Sequence, residues 1–153
     1  MMDENRGERR GLAETGLLVP AAAYFAIVFA FAFALGTVRV LLIAPRVGEL
    51  AGAAIELPIV LAISWLISRR VMRRWQVPGD AGSRLFVGLA ALAMLLAAEI
   101  LLGVTLFDRD LAGQLAAMTR GSGALGLAAQ IVFGLIPLVQ ARAGPTITRR
   151  AGR

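Results

Sequence analysis

The chain of 153 residues contains no cysteine and no histidine, and it has no lysine either, so all sixteen of its basic residues are arginines. Without cysteine there is no disulfide, no thiolate nucleophile and no quinone-linked thiol oxidation. With histidine also absent, the usual zinc sites and imidazole ligation of haem are excluded, and no cofactor or metal is expected. The lack of lysine removes Schiff-base chemistry. Long polar stretches are missing as well. The longest, residues 68–84, falls well short of the roughly 40 residues that an independent core requires.

What fills the chain is apolar side chain in long blocks. Hydrophobic residues make up 58% of it and the mean hydropathy is +0.75, outside the ordinary globular range. Residues 17–44, 50–67, 85–107 and 121–139 each approach the roughly 20 residues that cross the hydrocarbon of a bilayer. A soluble bundle helix shows a polar stripe every turn, whereas residues 21–35 carry no charged or strongly polar side chain on any face. The expected fold is therefore all-α, an integral membrane four-helix transmembrane bundle of up-down topology. Its spans are expected at about 17–44, 48–68, 84–107 and 121–140, between an N-terminal tail, 1–16, and a C-terminal tail, 141–153. The first apolar run is too long for the core of a signal peptide and reads as an uncleaved helix.

The arginines orient this bundle. Twelve of them (Arg6, Arg9, Arg10, Arg69, Arg70, Arg73, Arg74, Arg84, Arg142, Arg149, Arg150 and Arg153) fall on one side of four spans, against Arg46, Arg109 and Arg120 on the other. The positive-inside rule puts both termini in the cytoplasm of a bacterial inner membrane. The sequence pI near 11.5 is explained by topology, and nucleic acid is not an expected partner.

Local signals divide the spans. Pro20 suits a first helical turn, Pro45 marks the end of the first span, and the tight turn 44–48 makes the first two helices antiparallel neighbours. Arg69, Arg70, Arg73 and Arg74 with Trp75 suit the headgroup level. Beyond setting topology they could recruit anionic lipid at the cytoplasmic face, at about 1 kcal/mol per arginine. Residues 77–80 read as a turn, 108–110 close the third span, and 111–118 read as a short interfacial helix with Leu111, Leu115 and Met118 on one face. Gly48 with Gly52, and Gly126, Gln130 and Gly134 at four-residue spacing, suit close helix packing, within the chain or in a homo-oligomer.

Each span also carries one residue that a membrane rejects: Arg39, Glu56, Glu99 and Gln130. From the helical rise, all four lie roughly 8 to 14 Å inward of the outer ends of their helices. A charge at depth costs about 2.5 to 3.5 kcal/mol on insertion scales, so these groups should face inward and find partners. The expected arrangement is an Arg39–Glu56–Glu99 cluster, one guanidinium serving two carboxylates, with Gln130 closing a side. A carboxylate left over from such a cluster would be the group open to a proton. Glu49 shares a helix face with Glu56 and could line an access path from the outer face, or pair with Arg46 at the interface.

The runs Gly36-Thr37-Val38-Arg39-Val40, Ala44-Pro45-Arg46-Val47-Gly48-Glu49 and Glu56-Leu57-Pro58 resemble small bacterial inner-membrane proteins of four helices. That resemblance implies the bundle and an association of Arg39, Arg46, Glu49 and Glu56, and it implies no activity. Small multidrug resistance transporters, with an essential glutamate in the first helix, are not matched. Nor are fluoride channels, which need a membrane asparagine where this chain has only Asn5 in its tail.

The functional expectation is a non-enzymatic inner-membrane protein, an accessory or scaffold subunit that associates with itself or with a membrane partner. The alternative is a small proton-coupled transporter or channel using Arg39, Glu56 and Glu99. A membrane enzyme ranks third, because Ser64, Thr105 and Glu99 form no recognisable nucleophile–base pattern.

Overall fold

The computed structural model describes the backbone of residues 4–106 and 110–143, with side chains over 16–105 and 110–143. The side chains of Arg6, Arg9 and Arg10, the pair Asp108 and Arg109, and the C-terminal Arg149, Arg150 and Arg153 lie outside the described residues. Among the described residues the regular elements are all helical: α1 (Glu4–Val38), a π-helical segment (Arg39–Ile43), α2 (Ala44–Val47), α3 (Glu49–Arg74), α4 (Ala81–Leu106), α5 (Leu111–Met118) and α6 (Gly121–Ala143).

Four helical stretches are long and apolar enough to cross a membrane: Gly16–Val47, Glu49–Arg74, Ala81–Thr105 and Gly121–Ala143. Their surface is inverted relative to a soluble protein. Leu41, Leu101, Val19, Leu50 and Leu66 are all more than half exposed, while Ser64 and Ser68 are at 0% and Gln114 at 5%. Water would penalise such a surface and hydrocarbon does not.

Helix boundaries differ from the sequence reading where local chemistry outweighs composition. Helix α1 begins at Glu4, inside the expected tail, because Glu, Arg, Leu and Ala outnumber the two glycines over residues 4–15. Pro20 consequently lies within a helix rather than in its first turn. Pro45 does not end the first span. It starts α2, where a missing N–H is tolerated, and the chain turns at Gly48, whose φ of 87° is open to glycine at little cost. Helix α3 runs six residues past Ser68. It ends with Gln76 in the left-handed region (φ 49°), the Gln76 amide bonding Arg73 O and the Val77 amide bonding Met72 O. Asp80 then opens α4, its carboxylate accepting the Ser83 amide at 2.8 Å.

Helix α1 packs on α3 and α4, and α6 packs on the same two. The described backbones of α1 and α6 do not approach each other, and neither do those of α3 and α4, so these pairs form the diagonals of a square. One diagonal is bridged by a side chain. Tyr24 of α1 reaches across the centre, its hydroxyl donating to Phe133 O at 3.1 Å and its ring stacked on Phe133 at 4.5 Å. Around it Ala21, Val28, Val71, Val87 and Ala91 complete a core of small and branched residues. Helices α4 and α6 meet backbone to backbone: a Cβ on Gly88 would lie 1.9 Å from Gly134 O. Gly134 thus serves close packing as expected, whereas Gly126 and Gly48 have no neighbour within 4 Å and Gly48 is a turn residue.

Candidate functional site

The polar residues gather where α1 ends and α3 and α6 begin. The π-helical turn Arg39–Ile43 carries one extra residue per turn, with the Ala44 amide bonded back to Arg39 O, and Arg39 is its first residue. Its side chain runs along α3, over a gap left by glycine: a Cβ on Gly52 would sit 3.2 Å from Arg39 Cγ. Arg39 Nε then meets Glu56 Oε2 at 2.6 Å, with side-chain exposures of 22% and 13%. Gly36 backs the same carboxylate, leaving its Oε1 3.7 Å from where a Cβ would be. This is the only ion pair among the described residues.

Glu99 is not part of that pair. Its Oε2 accepts a hydrogen bond from Gln130 Nε2, and its backbone carbonyl lies 3.5 Å from Gln114 Nε2. The expected three-member cluster therefore resolves into two pairs, Arg39–Glu56 and Glu99–Gln130. The reason is geometric: α1 neighbours both α3 and α4, but the stem of Arg39 is directed along α3 to Glu56, while the Glu99 carboxylate is turned to Gln130 of α6. Gln130 Oε1, the other end of that amide, is buried and has no hydrogen-bond partner among the described residues.

Two cavities surround Glu99. One, of about 400 Å³, is bounded by Phe29, Phe33, Arg39, Glu99, Gln114 and Gln130. The other, of about 640 Å³ and nearer the helix ends, has Arg39, Glu49, Glu99, Arg120 and Ser122 in its wall. Among the described residues its wall carries two carboxylates, Glu49 and Glu99, and two guanidiniums, Arg39 and Arg120, with Glu56 behind Arg39. Glu49 lines the outer cavity, where Ser122 Oγ donates to it at 3.4 Å. It does not pair with Arg46, which folds back on its own helix to donate to Leu42 O. The turn at Gly48 separates the two directions.

Gln114 is the residue that the sequence reading missed. On α5 the buried side is Gln114 and Met118, while Leu111 and Leu115, read from the sequence as sharing a face with Met118, are exposed at 56% and 48%. The helix is fixed by Asp110, whose carboxylate caps the Gly113 amide at 2.9 Å. Gln114 fits because Gly103 has no side chain; a Cβ there would fall 2.2 Å from the glutamine Cδ. A polar residue flanked by apolar ones, four positions from Met118, was the available signal.

At the opposite end the basic group divides. Trp65, Arg69 and Arg73, at four-residue spacing on α3, line a cavity of about 310 Å³ with Met72, Arg84 and Gln140. Arg70 and Arg74 are not in its wall, and the Arg74 guanidinium lies 5.9 Å over the ring of Trp75.

Comparison with known proteins finds no match: no family model, no curated protein and no solved structure matches this chain. The functional argument accordingly rests on the residues and their geometry.

Proposed function

We infer that the protein is a multi-pass bacterial inner-membrane protein of up-down topology with both termini cytoplasmic, and that it acts as a small proton-coupled transporter or channel centred on Glu99. One observation carries the reading. The Arg39 guanidinium is ion-paired with Glu56, so Glu99 is a membrane carboxylate whose side-chain hydrogen-bond partner is a neutral amide, in a cavity that Arg39 also lines. Gln130 gives it a means of sensing its proton. An ionised Glu99 accepts from Nε2; a protonated Glu99 donates, and a half-turn of the amide would present Oε1 to receive that bond. Each protonation state thus has its own hydrogen-bonded partner, and a cation or water at the cavity wall can complete the amide's unused end.

The test is flux in proteoliposomes loaded with a pH-sensitive dye. Wild type is expected to dissipate a proton gradient, and Glu99→Gln to stop it while folding normally. Flux that survives in Glu99→Gln removes the residue from the pathway.

A second reading, an accessory or scaffold subunit without catalytic or transport activity, is favoured by a separate observation. The Arg39–Glu56 pair is complete in itself and ties α1 to α3 in register. Absence of flux from wild type, together with a fixed oligomeric state in detergent, would favour it.

A further inference from the structure

The cavity at the arginine-rich end of the bundle belongs to a different part of the molecule from Glu99. Three guanidinium residues, Arg69, Arg73 and Arg84, line it together with the indole of Trp65 and the amide-bearing Gln140, and among the described residues no carboxylate is in its wall. Its frame is tied down by polar bonds inside the bundle. Gln140 of α6 accepts from Ser68 Oγ at 2.9 Å and donates from Nε2 to Trp65 O at 2.8 Å. Arg84 is held against the loop between α3 and α4 by donating to Pro78 O at 2.8 Å and Val77 O at 3.2 Å. Arg69 and Arg73 remain exposed at its rim. The wall joins α3, α4 and α6 at the level where apolar span gives way to arginine and tryptophan, which is where lipid phosphates lie.

We propose that this cavity is a discrete binding site for the headgroup of one anionic phospholipid, with the phosphate held by Arg69, Arg73 and Arg84 and the glycerol backbone against Trp65 and Met72. Arg69 and Arg73, with no carboxylate among the described wall residues, beside an Arg84 whose charge Asp80 partly offsets, favour an anionic phosphate headgroup over a zwitterionic one. The site accounts for the division within the basic group. Arg69 and Arg73 face the ligand, while Arg70 and Arg74 supply only diffuse charge on other faces of the same helix.

The experiment is native mass spectrometry of the whole chain in detergent. It is titrated with phosphatidic acid or cardiolipin, with zwitterionic phosphatidylcholine, and with inorganic phosphate alone. One anionic lipid is expected to be retained per chain. Arg69→Gln/Arg73→Gln is expected to weaken its binding about 25-fold, at about 5-fold per arginine. Arg70→Gln/Arg74→Gln, which removes the same charge from the same helix, is expected to change it less than about 3-fold. Equal losses from the two double variants would overturn the site and leave diffuse attraction. Binding of inorganic phosphate with the same dependence on Arg69 and Arg73, and with no gain from acyl chains, would overturn a lipid as the occupant. Because all four arginines are exposed, folding is expected to survive both double variants. Trp65 fluorescence in a Trp75→Phe background provides a second measure of occupancy.

Discussion

Arg39 is the one ion-paired guanidinium among the described residues, and removing it is the sharpest perturbation the bundle offers. In Arg39→Gln the Glu56 carboxylate loses its 2.6 Å partner while keeping a side chain only 13% exposed. An unpartnered charge at such depth costs about 3 kcal/mol, and breaking a buried pair from one side falls in the same range of about 3 to 5 kcal/mol. Glu56→Gln should cost less. The longer arginine stem can carry its charge toward the outer cavity, where Glu49 and Glu99 lie in the same wall. In Arg39→Gln/Glu56→Gln two neutral amides replace two charges and no ion remains buried. The double variant should therefore recover most of the loss, with a coupling of about 2 to 3 kcal/mol. The assay is reversible unfolding of all four proteins in mixed detergent micelles, run as a double-mutant cycle. Additive single losses, with coupling below about 0.5 kcal/mol, would refute the argument that these two charges stabilise each other inside the bundle.

Other consequences follow from contacts elsewhere. Gly88→Ala should destabilise by about 1 to 3 kcal/mol because its new methyl meets the rigid carbonyl of Gly134 at 1.9 Å. Gly134→Ala, meeting Leu92 Cδ2 at 3.0 Å and Cβ at 3.2 Å rather than a carbonyl at 1.9 Å, should cost less, and thermal unfolding of the pair compares them directly. Tyr24→Phe keeps the stacked ring but deletes the bond to Phe133 O, for an expected loss of about 0.6 kcal/mol, whereas Tyr24→Ala should lose several times that by opening the centre of the bundle. The Ser83 amide holds the Asp80 carboxyl below its ordinary pKa of 3.8. A depressed folded pKa means that this cap stabilises above the unfolded value and fades as pH falls through the folded one. Wild type should therefore lose a small increment of stability below about pH 4 that Asp80→Ala lacks at every pH, read from melting temperature across the acid range.

Several features were legible in the sequence because they depend on local composition. Four helices long and apolar enough to span a membrane and the short helix 111–118 follow from hydropathy, helix length and the placement of glycine and proline, whereas the turn expected over 44–48 is helical to Val47 and falls at Gly48. So does the selection of Arg39, Glu56, Glu99 and Gln130, since a charge inside an apolar run is conspicuous wherever the helix points. Helix ends were less legible. Gln76 in a left-handed turn and the π-helical turn at Arg39 are settled by backbone bonds and side-chain packing that composition does not encode.

Partner choice needed the tertiary structure. Depth along a span is a one-dimensional quantity, and it put two carboxylates within plausible reach of one guanidinium. In the square α1 lies beside both α3 and α4, and only the direction of the side chains, Arg39 along α3 over Gly52 and Glu99 turned to α6, decided that Arg39 serves Glu56 and leaves Glu99 to Gln130. The same holds for Gln114, buried through the gap at Gly103, and for the split of Arg69 and Arg73 from Arg70 and Arg74. The sequence by itself determined which groups are costly to bury. The rotation of each helix about its axis, fixed by glycine contacts and by Tyr24 across the diagonal, determined which of them meet.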